Sequence, residues 1–155
     1  MSQPTIYDPS TFYAVTPLDV TYLSICGSSG ERNFLATIYR PDPIKGEGKF
    51  PAFLDIHGGA WQSGNRSDGE YIDRSLASSG MVVAAVDFRT APQDPYPAQV
   101  QDVNYAIRWW KSAAGGDIDL RMFEGMPHSF VITPQPESHV AIQMMKQFIA
   151  RQVNP

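Results

Sequence analysis

Six apolar residues in a row, Met81 to Val86, lie between Gly80 and Asp87, and they constrain the fold more than any other feature. The run has the length of a strand, and its lack of polar alternation demands cover on both faces. Strands covered on both sides belong to parallel sheets flanked by helices. Phe50 to Ile56, with Ala52, Phe53, Leu54 and Ile56, reads as a second buried strand just upstream. Between the two, Tyr71, Ile72, Leu76 and Ala77 share one side of a helix from about Glu70 to Ser79. Ser67 or Asp68 is its expected cap and Gly80 its stop. A helix over Ala98–Ala113 sets Val100, Val103, Ala106, Ile107 and Trp110 at helical spacing and ends at Gly115-Gly116. Ile118 to Phe123 alternates like a short strand. Glu137 to Val153 closes the chain as a helix with Val140, Met144, Met145, Phe148 and Ile149 inward.

Upstream, Val20–Ile25 and Phe34–Tyr39 are rich in β-branched and aromatic residues, and Gly27-Ser28-Ser29-Gly30-Glu31 separates them. This predicts a hairpin, stopped by Pro41-Asp42-Pro43 and preceded by an extended arm over residues 1–16. The whole order predicts a single α/β domain over residues 1–155. It has a mainly parallel sheet, an N-terminal antiparallel hairpin and helices on both faces. Ligands of such sheets bind beyond the C-terminal ends of the strands.

Composition removes several function classes. Charged residues make up 18% with a formal net charge of -4, and there is no basic run, so no nucleic-acid partner is expected. No stretch approaches the roughly 18 apolar residues of a membrane span. Met1 to Ser10 is polar and lacks the apolar core of a signal peptide. Cys26, the single cysteine, has no internal disulfide partner and reads as a small buried thiol in a strand. These features together predict a cytoplasmic protein. The three histidines lie far apart and no dinucleotide fingerprint occurs, so neither a metal nor another cofactor is expected.

The chemistry-bearing residues follow the strands. His57-Gly58-Gly59-Ala60-Trp61 sits at the C-terminal end of the Phe50–Ile56 run. Glycines there let the backbone turn sharply and present N–H groups that can stabilise an anionic oxygen. Downstream come Asp87-Phe88-Arg89-Thr90-Ala91-Pro92, then Tyr96-Pro97-Ala98, Asp102 and Trp109, and finally Glu124-Gly125-Met126-Pro127-His128-Ser129-Phe130. In this order and spacing the chain resembles the hormone-sensitive-lipase-like esterases, α/β-hydrolases of the fold-3 type. The resemblance implies that Gly58, Gly59 and Ala60 form the loop part of an oxyanion hole. It implies that His128 is the catalytic histidine and that the substrate is a short acyl ester. Trp61 is either a wall of the acyl pocket or a packed aromatic. His57 supports the loop rather than moving protons, Arg89 and Asp102 pair beneath the site as scaffold, and His139 faces solvent.

One part of the family pattern is missing. Its nucleophile sits in Gly-x-Ser-x-Gly at a strand-to-helix turn. Gly27-Ser28-Ser29-Gly30, Trp61-Gln62-Ser63-Gly64 and Ala77-Ser78-Ser79-Gly80 all fail in spacing or placement. Ser129, beside His128 on an extended segment, points away from it. Asp117 and Asp119 cannot be matched to the triad acid, which stays unassigned. The resemblance thus implies a truncated α/β-hydrolase fold with an internal deletion near residues 111–116. The expected activity is that of a carboxylic ester hydrolase, impaired or lost. A non-catalytic descendant that binds a small ligand or a protein, and the product of an incomplete gene, are the alternatives. The shortened crossover is expected to place Ile118–Phe123 beside Ala52–Ile56. If it does not, the bare sheet edge favours self-association.

Overall fold

The structure is a computed structural model, and it describes residues 7–28, 30–42, 50–114 and 136–153. Among them the order is β1 (Ala14–Gly27), β2 (Gly30–Asp42), β3 (Ala52–Ile56), α1 (Glu70–Ser78), β4 (Val82–Val86), α2 (Ala98–Ala114) and α3 (Pro136–Val153). The strands form one sheet in the order β1-β2-β4-β3. β1 and β2 are an antiparallel hairpin, β2 pairs antiparallel with β4, and β4 pairs parallel with β3. Ile118–Phe123 lies outside the described residues, as do Ser129 and the junction at residues 115–116. Of the N-terminal arm, residues 7–13 are described; β1 begins at Ala14.

Alternation along the strands sorts the core into two layers. Tyr39, Val83, Ala85 and Phe53 face one way, and α1 covers them with Ile72, Leu76 and Ala77 while α3 adds Ile142. Ala36, Ile38, Val86, Leu54 and Ile56 face the other way, beneath Ala106 and Trp109 of α2. The sheet is therefore covered on both faces, as the unbroken run at Val82–Val86 requires. Burying a Leu76 or a Val83 completely stabilises the fold by about 1.5–3 kcal/mol each, and both are fully buried here.

Several expectations need correction. The hairpin is longer than the β-branched runs alone suggest. Pro17 and Pro41 both lie inside it, opposite Tyr39 and Val15. Among the described residues β1 is an edge strand, and β2 pairs with β4 only over Ala36–Tyr39, so neither proline interrupts a central ladder. Tyr22 is the extra residue where the register shifts between Thr21 and Leu23. Cys26 is exposed, not buried, because the hairpin tip projects past the residues that β4 covers. Helix α1 starts at Gly69 with no side-chain cap. Asp68 turns back instead and accepts bonds from the Asn65 backbone N–H (3.1 Å) and Nδ2 (3.0 Å).

Two helical faces are rotated from the apolar reading. On α2 the buried residues are Ala98, Gln99, Asp102, Ala106 and Trp110, while Val100 and Ile107 are exposed. Polar Gln99 and Asp102 go inward because each satisfies a loop: Gln99 Nε2 donates to the Asp94 carbonyl, and Asp102 binds Arg89. On α3, Ile142 and Lys146 are buried and Met145 and Ile149 pack against the core, whereas Val140 is 60% exposed and Met144 is exposed. α3 packs along α1, and that contact selects the Ile142 stripe. Finally, β3 is half-buried, with Ala52 exposed, because among the described residues it pairs on one side only.

Candidate active site

The parallel strands β3 and β4 end together, with Ile56 opposite Val86. The chain leaves β3 through His57 and leaves β4 through Asp87-Phe88-Arg89, and the two exits lock onto each other. The His57 ring stacks on Phe88 with centroids 4.1 Å apart and planes 7° off parallel. Its Nδ1–H donates to the Gly58 carbonyl at 2.8 Å, since that oxygen can only accept. His57 is buried. Its ring thereby packs the start of the loop against the β4 exit.

The turn itself is strained. Gly59, Ala60 and Trp61 have consecutive positive φ values of 103°, 52° and 64°. Left-handed backbone at a non-glycine residue costs roughly 1–2 kcal/mol, so the neighbours must hold the turn. They do so through its carbonyls. The Gly59 carbonyl accepts from the N–H groups of Gln62 (2.9 Å) and Ser63 (3.2 Å), and the Trp61 carbonyl accepts from Ala91 N–H at 2.9 Å. Among the described residues, the N–H groups of Gly58, Gly59, Ala60 and Trp61 donate to no backbone carbonyl. A turn with engaged carbonyls and free N–H groups can receive a negative oxygen. A side chain at Gly59 would overlap the Ser63 backbone, which explains the glycine there. Ala60 keeps its N–H and bears the strain.

Trp61 is 47% exposed and meets Phe88 edge-on at 5.5 Å. With Ala60, Gln62, Ala91, Tyr96, Gln99 and Val100 it lines a cleft of about 220 Å³. The aromatic is thus both packed and pocket-forming. His139 is exposed and its ring meets Tyr71, whose hydroxyl is 2.9 Å from Nε2. It lies on α3, which packs against α1. His128, Asp117 and Asp119 fall outside the described residues. Among those described, no group of three or more His, Cys, Asp or Glu could hold a metal ion.

Below the turn, the Arg89–Asp102 pair forms as expected. Arg89 gives Asp102 three bonds: its backbone N–H (2.9 Å), Nε (2.8 Å) and Nη2 (2.6 Å). Its Nη2 also reaches the Ala98 carbonyl. This fork ties the β4 exit to the start of α2, which carries Gln99 and Val100 of the cleft. The hydrogen bond to Asp102 holds the Arg89 guanidinium above its ordinary range.

Two further groups escaped the sequence reading. Arg66 binds Asp87 through its backbone N–H (2.8 Å) and Nη1 (2.7 Å), Thr37 through Nε (2.9 Å) and Asp19 through Nη2 (2.9 Å). The Thr37 hydroxyl bond and then the Arg66 bond hold Asp19 below the ordinary carboxylate range. The Tyr22 hydroxyl adds a bond to the Asp87 carbonyl. Arg66 thus clamps the segment after the turn onto β1, β2 and the β4 exit. The second group is Asp55 on β3 and Asp73 on α1. Burial raises both, and burial followed by the Asp55 charge pushes Asp73 up to about 8. The available signal was a carboxylate inside an apolar strand and another beside Ile72 on an apolar helix face.

Comparison with known proteins agrees with this architecture. The BD-FAE family model matches residues 37–120. The chain is 33% identical over 111 residues to the probable carboxylic ester hydrolase LipM of Mycobacterium tuberculosis, covering 69% of this chain and 25% of that protein. Among solved structures it is similar to EstE1, a thermophilic carboxylesterase cloned from a metagenomic library. That match has a TM-score of 0.51 and 32% identity, over 66% of this chain and 33% of that one. It is also similar to Thermogutta terrifontis esterase 2, solved after phosphoramylation by tabun, with a TM-score of 0.55 and 27% identity over 63% and 37% of the two chains. The chain thus spans about a quarter of the length of LipM. The family match covers just over half of the 155 residues, and the chain belongs to the BD-FAE family of α/β-hydrolase-fold esterases.

Proposed function

We propose that this chain is a carboxylic ester hydrolase scaffold for short acyl esters whose own turnover is impaired or absent. The turn at Gly58–Trp61 carries this reading. Its N–H groups, which among the described residues donate to no backbone carbonyl, suit the anionic oxygen of a tetrahedral intermediate, and the cleft walled by Trp61, Tyr96 and Val100 has room for a small acyl or alcohol group. His128 is the proton-transfer group by family position. The attacking group is what the 155 residues lack, since they contain no Gly-x-Ser-x-Gly. A deletion near residues 111–116 accounts for this loss and for the loss of the triad acid. It also removes the oxyanion donor that follows the nucleophile. An oxyanion hole and binding without a working triad leave roughly 10³–10⁴-fold acceleration over water.

The cleft needs no attacking group in order to bind, which favours a second reading: a non-catalytic descendant that holds a small acyl ligand or a protein. The short span against LipM favours a third, an incomplete product of a gene for an ordinary esterase. In the first and third readings the natural partner is a small acyl compound, in the second it is such a compound or a protein, and in none is it a nucleic acid. Among the described residues no helix is long and apolar enough to cross a membrane. The lone Cys26 without a disulfide partner supports a cytoplasmic location. Among the described residues β3 pairs on one side only, which supports self-association through that edge.

Hydrolysis of a short-chain chromogenic ester, with His128→Ala as control, tests the assignment. Trace turnover that disappears in the variant supports it. Brisk, specific turnover unchanged in the variant overturns it. No turnover, with the ester still bound, selects the binding reading. Transcript sequence across Lys111–Gly116 that encodes an intervening Gly-x-Ser-x-Gly selects the third.

A further inference from the structure

Asp73 lies on the buried side of α1, and its residue is 0% exposed. Among the described residues neither of its carboxylate oxygens has a hydrogen-bond partner. Asp55 sits between Leu54 and Ile56 on β3, and alternation turns it toward α1, away from the face those two share beneath α2. The two carboxylates converge on Gly69. A Cβ there would stand 2.5 Å from Asp55 Oδ2 and 3.4 Å from Asp73 Oδ2. Glycine at position 69 therefore makes room for a carboxyl pair between the strand that carries the oxyanion turn and the helix that backs it.

Two ionised carboxylates cannot share such a space without a counter-ion. The surrounding charges do not supply one at Asp73. Burial is the largest influence on it, the Asp55 charge the second and the Glu70 charge the third, and all three oppose its ionisation. Arg74 on the same helix is engaged with Glu70 at 2.6 Å and lies over the Tyr39 ring of β2. Tyr39 is itself raised to about 12, by burial first and the Asp73 charge second. Lys146 of α3, the helix packed on α1, is lowered by burial alone. At Asp55, burial again dominates; the nearby His57 opposes it and Asp68 reinforces it.

We propose that Asp55 and Asp73 share one proton at neutral pH, and that this proton ties α1 to β3, so that losing it in mild alkali loosens the helix behind the oxyanion turn. The Asp73 carboxyl is the protonated partner, because it is the more deeply buried and lacks other donors. Its O–H donates to the Asp55 carboxylate, and the pair carries a single negative charge. The proposal concerns the scaffold and does not depend on whether an ester is hydrolysed.

The sign follows from linkage. Asp73 binds its proton more tightly folded, at about 8, than at its ordinary 3.8. Between those two values the folded state holds the extra proton, so stability falls as pH rises and then levels off above about 8.

The test uses the 155-residue protein, Asp73→Asn and Asp55→Asn. Infrared difference spectra between pH 6 and pH 9.5 are expected to show loss of a protonated-carboxyl C=O band in the wild type and none in Asp73→Asn. Hydrogen exchange at Glu70–Ser78, corrected for the intrinsic rate, is expected to accelerate at least tenfold over the same range in the wild type and less than threefold in Asp73→Asn. Asp55→Asn, which removes the repelling charge, is expected to move the titration of Asp73 downward. The absence of the carboxyl band in wild-type protein at pH 6 would overturn the proposal, and that measurement needs no variant to fold. Equal acceleration of exchange in wild type and Asp73→Asn would also overturn it.

Discussion

Replacing Asp102 with alanine removes one side of the best-bonded ion pair near the candidate site. The Asp102 side chain is 3% exposed and that of Arg89 17%. The substitution deletes the acceptor of three short bonds and strands a guanidinium in a poorly hydrated place. Hydrogen bonds to charged groups contribute roughly 1.5–3 kcal/mol each, but burying both ions opposes that gain. Breaking such a pair from one side costs about 3–5 kcal/mol, and the residual exposure of Arg89 places the expected loss near the lower end, about 3 kcal/mol. For a chain of this size that corresponds to a melting point lower by roughly 6–12 °C. The double variant Arg89→Met/Asp102→Leu leaves no stranded charge, and most of the loss should return. Urea denaturation followed by circular dichroism measures Asp102→Ala together with the wild type, Arg89→Met, Asp102→Leu and the double variant, and the cycle of these last four isolates the coupling. A loss below about 1 kcal/mol for Asp102→Ala, or simple additivity in the cycle, would show that the fork does not hold the β4 exit to α2.

Two other substitutions probe the same scaffold. Gly64→Ala places a Cβ 2.5 Å from His57 Nδ1 and 2.8 Å from the Gly58 carbonyl at a φ of 95°. The turn must shift, and a change in Trp61 fluorescence with a stability loss above about 1 kcal/mol is expected; an unchanged spectrum and midpoint would refute the tight packing of the turn. Leu76→Ala opens a cavity in the fully buried layer between α1 and the sheet, and equilibrium unfolding should read a loss of about 2–5 kcal/mol. A loss under about 1 kcal/mol would mean that this layer is loosely packed.

What the sequence determined by itself was periodicity and punctuation. The apolar run at Met81–Val86, the glycine turn between β1 and β2 and the glycines after β3 fix element type and order through local rules that need no partner. They also locate the glycine turn proposed to hold the oxyanion, because a strand followed by His57-Gly58-Gly59 leaves the sheet at its C-terminal edge. The Arg89–Asp102 pair was legible through its family string. Tertiary structure decided which faces α2 and α3 bury. The inward turn of Gln99 and Asp102, and the exposure of Val100, Val140 and Met144, depend on what the neighbouring loop or helix offers as a bonding or packing partner, and apolar spacing carries no record of that. The same holds for Arg66, whose partners Asp19, Thr37 and Asp87 come from three distant segments, and for Asp55 and Asp73, which become neighbours only when α1 lies across β3. Charge and hydrogen-bond satisfaction are properties of an assembled neighbourhood, so they appear only once the chain has brought its distant parts together.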